Sequence, residues 1–456
     1  MLGLVIAVSG VVSLAVGAAI KVTLDRLDSY HRITRMEYII GALIACLIVT
    51  PAVAFLGEKA VVSSKLTYNE YWTGWETAAI EDVTVCTRDG SCKRTYSCDP
   101  YTVTEWYTDS DGDRRSRTVT KWHECPIGTE EATYAIDTTL GRHVVARGHY
   151  TPNTRPWRAG RPLDGPTTPP KQWVDAKARL DADNPGPVTK VNTYDNYILA
   201  SEHTILKAYS DAIDTYREAD LLPTPVKGVY DGLHADKAYF VGNTPKNADA
   251  WNEAVARVGS ALGTDKQGDL HVVLVDTRKV TDPDEYTNAL VAYWQSPELG
   301  KNTASKNTVI VVAGTTDGKT VKWARAATGM PIGNEGLITA IRSNLPGTPW
   351  TPDDLIGTAR AHVVDGDVTG ANLHIGPGAI SSALWALDGT GFERVCMTCK
   401  DEGGAGYDYL LAQVRPSGAQ YFGIGVVAVV VSAVVWAFFF WFEHTDAFPV
   451  HRRSRY

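Results

Sequence analysis

Three stretches of the chain, 2–20, 38–57 and 422–442, contain no Asp, Glu, Lys or Arg. A helix rises about 1.5 Å per residue, so roughly 20 apolar residues span a hydrocarbon layer of about 30 Å. Each run therefore predicts a membrane helix, because in lipid the backbone must satisfy its own hydrogen bonds. None of the three carries an ionisable side chain, so ion selectivity, proton relay and voltage sensing have no carrier there. An anchor fits better than a channel.

Lys and Arg in short flanks set orientation. Lys21, Arg26, Arg32 and Arg35 lie between the first two runs, and Arg452, Arg453 and Arg455 follow the third. Both flanks belong on the cytoplasmic side, which places the N-terminus outside, a domain from about 58 to 421 outside and the C-terminus inside. The expected location is a bacterial inner or plasma membrane. The first run lacks the basic n-region and short core of a signal peptide. Its Ser9, Ser13 and Gly17 recur every four residues, which predicts close pairing with the second helix through Gly41 and Ala45. The same residues equally suit a plain anchor. Tyr421, Trp436 and Trp441 near the ends of the third run suit the membrane interface.

The rest reads as folded protein, since 44% of the 456 residues are hydrophobic and 21% charged. The cytoplasmic flanks hold seven Lys or Arg against five Asp or Glu, so the formal charge of −8 becomes −10 outside. That field disfavours nucleic acid as a partner.

Cys46 falls within the second apolar run; Cys86, Cys92, Cys98, Cys125, Cys396 and Cys399 fall in the outside segment. An even number there predicts three disulfides. Asp111-Gly112 reads as a two-residue hairpin tip, and with no bulge Cys98 would face Cys125, Tyr101 would face Trp122, and Glu105 would face Thr118. Cys86 with Cys92 and Cys396 with Cys399 would complete the set. A zinc site at the first four cysteines has the wrong spacing. Asp109, Asp111 and Asp113 do not form an EF-hand, because Gly112 and Thr120 fall at the wrong loop positions.

The organisation follows from local pattern. Residues 65–150 read as a small Cys-rich β module, and eight prolines between 151 and 187 predict a linker without a packed helix or central strand. Residues 190–225 read as an amphipathic helix through Ile198, Ile205, Tyr209, Ile213 and Tyr216. From 237 the pattern alternates strand and helix: 238–241, a helix through Trp251 and Leu262, 270–275, a helix through Tyr286 and Trp294, 308–312, then a strand over 320–327. Helices are expected over 335–343 and 352–363, followed by a C-terminal extension, 364–420, carrying the Cys396-x-x-Cys399 pair. This predicts an α/β fold with helices flanking a largely parallel sheet that a hairpin closes.

The residues Asp269-Leu-His-Val-Val-Leu-Val-Asp276, Lys306-Asn307-Thr-Val-Ile-Val-Val-Ala313, Ala327-Thr328-Gly329, Gly333-x-x-Gly336-Leu337 and Pro349-x-x-x-Asp353-Asp354 carry a resemblance to the TPM domain. It covers 237–363. The resemblance implies an extracytoplasmic domain attached to membrane spans, with either acid phosphatase or divalent-metal activity or a part in assembling membrane complexes. The whole layout is also similar to uncharacterised membrane proteins of bacteria and tailed phages. Where the family places an Asp after its Gly-Leu motif, this chain has Ala340.

In an open α/β sheet, ligands sit beyond the carboxyl ends of the strands. That rule nominates Asp276, Asp317 and Glu335 as ligands for Ca²⁺ or Mg²⁺, with Thr328 as a binding residue. Asp276 and Asp317 equally suit turns, and Glu335 a helix N-terminus. No nucleophile elbow, phosphate loop or His-Glu-x-x-His pair is present, so the catalytic residues are unknown. The isolated histidines show no paired spacing, and His271 reads as a satisfied core residue. The leading expectation is a membrane-anchored extracytoplasmic interaction or assembly protein with an envelope partner. The alternative is a divalent-metal-dependent phosphatase.

Overall fold

The computed structural model describes the chain apart from residues 28–32, 87–93, 109–113, 128, 151–167, 202–208, 226–235, 297, 300–303, 331, 369–371, 398–405 and 445–456. It divides into two compact units: Met1–Tyr68, Thr193–Ile205 and Cys396–Tyr456 form one, and Asn69–Asn192 with Leu206–Val395 form the other.

The first unit contains three helices long and apolar enough to cross a membrane, Leu2–Arg26, Arg35–Leu66 and Gly418–Trp441. They run beyond the charge-free stretches because flanking polar residues continue each helix. The second begins with a capping box, Thr34 accepting from the Glu37 N–H while Glu37 reaches back. It widens into a π turn at Ile44–Val49. The small residues of the first helix meet the third helix as well as the second, whose Cys46 Sγ approaches the Gly10 carbonyl at 3.5 Å. Ser9 donates to the Gly425 carbonyl (3.3 Å), and Trp436 Nε1 donates to Ser13 Oγ (3.2 Å). Gly17 and Gly41 both lie under the Trp436 ring, where a Cβ would come within 2.5 Å of it. Trp436 is therefore not an interfacial anchor; it is 1% exposed and fills the space the glycines leave. Thr50 and Ser432 hydrogen-bond at 3.0 Å, so the polar groups inside this bundle satisfy one another.

The β-rich part supplies β1 (Thr67–Cys86), β2 (Arg94–Thr108), β3 (Arg114–Ile127), β4 (Thr129–Thr138), β5 (His143–Tyr150) and β6 (Pro187–Asp195). One sheet has the order β5-β4-β1-β6, and β2-β3 form a separate two-stranded ribbon. The ribbon corrects the expected register. Tyr101 faces Lys121, Glu105 faces Arg117, and beyond an irregularity at Asp99 Cys98 faces His123 while Tyr96 faces Cys125. Between the tip and Asp99 the pairing already runs one residue off that expectation, and Asp99, at φ +43°, the left-handed conformation an inserted residue needs, adds a second, so Cys98 stands opposite a residue two before Cys125. Cys46 is free. The side chains of Cys86, Cys92, Cys125 and Cys399 lie outside the described residues.

The proline-rich stretch is not wholly a linker. Lys171–Asp181 is a helix starting behind Pro170, and Pro187 opens β6. Proline suits both places, because neither a first helical position nor a strand's first residue needs its N–H. Trp173 of this helix packs edge-on against Tyr134 and donates to the Ile80 carbonyl. Glu76, 1% exposed, takes a bidentate pair from Arg179 and the Gly186 N–H, which holds the helix to β1. The single amphipathic helix expected over 190–225 is also corrected. Residues to Asp195 are strand, followed by the short helix Tyr197–Ala200 and the helix Ser210–Glu218.

The remaining strands are β7 (Ala238–Val241), β8 (Asp269–Asp276), β9 (Thr308–Thr315), β10 (Trp323–Thr328), β11 (Ala359–Ala361) and β12 (Leu373–Ile375). A sheet of order β10-β9-β8-β7 is parallel across β7, β8 and β9 and antiparallel between β9 and β10. Its near-continuous Val, Ile and Leu runs are needed because both faces are covered. Val272, Leu274, Val309 and Val311 pack into a core with the helix Ala248–Lys266. Their neighbours Val273, Val275, Ile310 and Val312 pack into a second core with the helix Pro283–Trp294. Asp282 caps that second helix, accepting from the Asp284 and Glu285 N–H groups ahead of a proline in its first turn. The expected long helix from 352 is a single turn, Pro352–Leu355, before β11. Gly357 takes φ +102° and turns the chain between them.

Candidate functional site

Parallel strands aligned in register bring their ends together. Asp276 ends β8 opposite Thr315, which ends β9, and Asp317 follows two residues later. Both carboxylates line a cleft of about 320 Å³ whose floor is Phe240, Trp251 and Trp350 and whose rim includes Asn243 and Arg278. A concave, partly aromatic site with a few convergent polar groups is the usual form of a binding pocket.

The two acids are held differently. The Asp276 side chain is 10% exposed and takes a two-pronged pair from Arg278, which is 67% exposed. Arg278 Nε lies 2.9 Å from Oδ1, and the Arg278 backbone N–H also donates to it at 3.0 Å. The Arg278 guanidinium thereby holds Asp276 below the usual carboxylate range. Asp317 accepts from the Lys319 N–H at 3.0 Å and more distantly from Thr320, and with Lys322 nearby its pKa is held at about 2. It is a turn-forming residue whose side chain also borders the cleft.

Thr328 and Glu335 are not in this cleft. The antiparallel pairing of β10 sets Thr328 opposite Val309, at the start of β9, so both residues belong to the other end of the sheet. Thr328 Oγ1 donates to the Met330 carbonyl at 2.9 Å, and Glu335 accepts from the Gly333 N–H, a helix-start contact. Among the described residues, no group of three or more His, Cys, Asp or Glu side chains is placed to hold a metal ion.

That opposite end holds a buried charge network the sequence did not signal. Lys237 donates to Asp269 Oδ1 (2.5 Å) and to Thr73 Oγ1 (3.1 Å). Asp269 Oδ2 lies 2.9 Å from His271 Nε2, and His271 Nδ1 lies 3.0 Å from the Tyr239 hydroxyl. Burial alone would raise the Asp269 pKa, but the Lys237 ammonium and His271 outweigh it and hold the group at about 2. His271 is thus a satisfied core residue, stacked on Tyr239 and edge-on to Trp294. Nearby, Glu70 has its pKa raised by burial against the opposing pull of Lys306 and Arg394. His362, just after β11, and His374 of β12 have ring centroids 5.8 Å apart, and Asp183 contacts His362 at 2.8 Å. Strand pairing, not sequence spacing, unites them.

The fold and cleft define a helix-flanked α/β domain on a chain with three apolar, membrane-length helices. No protein-family model, no curated protein and no solved structure matches the chain.

Proposed function

We propose that this chain is a membrane-anchored extracytoplasmic interaction or assembly protein, with a TPM-like domain that binds an envelope partner at the carboxyl ends of β7, β8 and β9. The observation that carries this reading is the open cleft there, walled by Asp276 and Asp317 and latched by the exposed, displaceable Arg278. The basic flanks between the first two apolar helices and after the third support an outside location for the domain. The six cysteines of the segment that charge places outside, an even number, support an oxidising compartment and a stapled β module. A membrane-impermeant thiol reagent applied to intact cells should label Lys246→Cys and spare Arg453→Cys; the reverse pattern overturns the orientation.

The second reading, a divalent-metal-dependent phosphatase, is favoured by the two carboxylates meeting at one end of the sheet. Asp276 and Asp317 would hold the cation, which would polarise a phosphoryl group. Neither Glu335 nor Thr328 assists, since both belong to the other end. Turnover of p-nitrophenyl phosphate by the full chain with Ca²⁺, Mg²⁺ or Mn²⁺ separates the readings. Activity lost in Asp276→Ala establishes the enzyme; turnover at background in every metal supports the binding reading.

A further inference from the structure

A second cleft, of about 520 Å³, adjoins the first: Asn247 lines both, and the first ends at Trp350 where the second begins at Thr351. We infer that the two clefts form one continuous groove whose ligand is an extended, uncharged, hydroxyl-rich oligomer: a neutral glycan strand. This rests on reading the carboxyl ends of the strands as the binding face and names the chemistry that face would recognise.

The lining argues for the class. In the second cleft Glu253 and Asp353 stand against Arg257 and Arg360, and Arg257 is already paired with Glu253 at 2.6 Å. In the first, Asp276 is paired with Arg278, and Asp317 with Lys322 just beside the cleft. Acids and bases balance along the groove, so neither a polyanion nor a polycation meets a complementary field. Planar amide, carboxylate and guanidinium groups instead offer paired donors and acceptors suited to vicinal hydroxyls. Half-buried Trp350, its ring 5.6 Å from that of Trp251, supplies an apolar face against which a sugar ring can stack. At the two ends, exposed Asn243 and Arg360 make no side-chain hydrogen bond or ion pair within the described residues, and so are free to meet a ligand. An extended peptide would want a long free sheet edge or a deep apolar pocket. The edge strands here, β7 and β10, are only four and six residues long.

The test uses the full chain in lipid nanodiscs, titrated by calorimetry with dimers and hexamers of β-1,4-linked glucose, xylose and N-acetylglucosamine. At least one hexamer should bind about tenfold or more tightly than its dimer, because only the longer chain occupies both clefts. Asn243→Ala should weaken dimer and hexamer alike, whereas Arg360→Ala should weaken the hexamer and spare the dimer. Both substitutions are at exposed positions, and unchanged melting confirms that the fold is kept. Equal affinity for dimer and hexamer overturns the continuous groove. Binding of no neutral oligomer, or of trilysine or a polyphosphate in preference to all of them, overturns the glycan assignment. Crosslinking from position 243 to an envelope protein in that case would leave the binding-face reading standing without the glycan.

Discussion

The two ends of the four-stranded sheet carry similar chemistry in opposite settings. At the carboxyl end, Asp276 meets an arginine that is 67% exposed, beside an open cleft. At the amino end, Asp269 meets Lys237, and their side chains are 4% and 6% exposed. A carboxylate paired with a solvated, flexible arginine can exchange partners at little cost, because water and the ligand compete on similar terms. A carboxylate buried with an ammonium cannot, because losing either partner strands a charge away from water. Burial thus commits the amino end to stability and leaves the carboxyl end able to exchange partners, as the recognition proposed there requires, although both hold an acid and a base.

The largest effect should follow from breaking the buried end. Asp269→Ala leaves Lys237 without its counter-charge, and denaturant unfolding should show a loss of about 3–5 kcal/mol. Loss below about 1 kcal/mol would mean that water reaches the pair and that the contrast between the ends is false. The pH dependence sharpens the point. Asp269 has its folded pKa lowered to about 2, so its contribution is present above an unfolded value of about 4 and is lost as pH falls toward about 2. Glu70 acts with the opposite sign, since burial raises its pKa and its unfavourable ionisation is relieved as pH falls. Acid unfolding followed by circular dichroism should steepen between about pH 4 and pH 2 in the native chain and flatten there in Asp269→Asn.

Much of this architecture was legible in the sequence, and the parts that were not have physical causes. The Leu270–Val275 and Val309–Val312 runs announced strands buried on both faces, and the charge-free stretches announced long apolar helices. The ribbon register departs from expectation in two places: the pairs next to the tip already run one residue off, and Asp99 at φ +43° slips the pairing by one more, which no turn rule at the tip reports. Thr328 and Glu335 were assigned to the wrong end because the carboxyl-end rule was applied to β10, which runs antiparallel. The four-residue spacing of Ser9, Ser13 and Gly17 located a packing stripe, and Gly41 of the second helix beside it, but not the Trp436 ring from the third helix that fills the space the glycines leave. The Lys237–Asp269–His271 network was hidden because Lys237, just before β7, reaches it only through the pairing of β7 with β8, although Asp269 and His271 stand two residues apart on β8 itself.

Two glycines test the same contrast by shape rather than charge. Gly329 follows β10 at the amino end of β9, where an added Cβ would lie 1.6 Å from the Ser305 carbonyl oxygen. Gly329→Ala must shift backbone in a packed region, and a loss of about 1–3 kcal/mol or more is expected in denaturant melts. Gly318, in the turn at the carboxyl end, takes φ +65° with nothing within 4 Å of its added Cβ. Gly318→Ala should cost only the backbone term, about 1 kcal/mol. Equal losses at the two sites would show that the carboxyl-end turn is packed as tightly as the amino end.

The smallest effect is expected at Arg278. Arg278 itself is 67% exposed and Asp276 borders the open cleft, where water can replace the guanidinium, so Arg278→Ala should leave the melting midpoint within about 2 °C of the native value. The change should appear in the cleft instead. Without the guanidinium, Asp276 loses the main cause of its lowered pKa and should titrate closer to an ordinary aspartate, about 3.9. Carbon-detected NMR of Asp-labelled protein, with Asp276→Asn to assign the resonance, measures that movement directly. A midpoint loss comparable to that of Asp269→Ala would place Asp276 in the structural core and remove the reason for locating recognition at this end. An upward-moving pKa with an unchanged midpoint would show the carboxylate held by a latch that a ligand can displace.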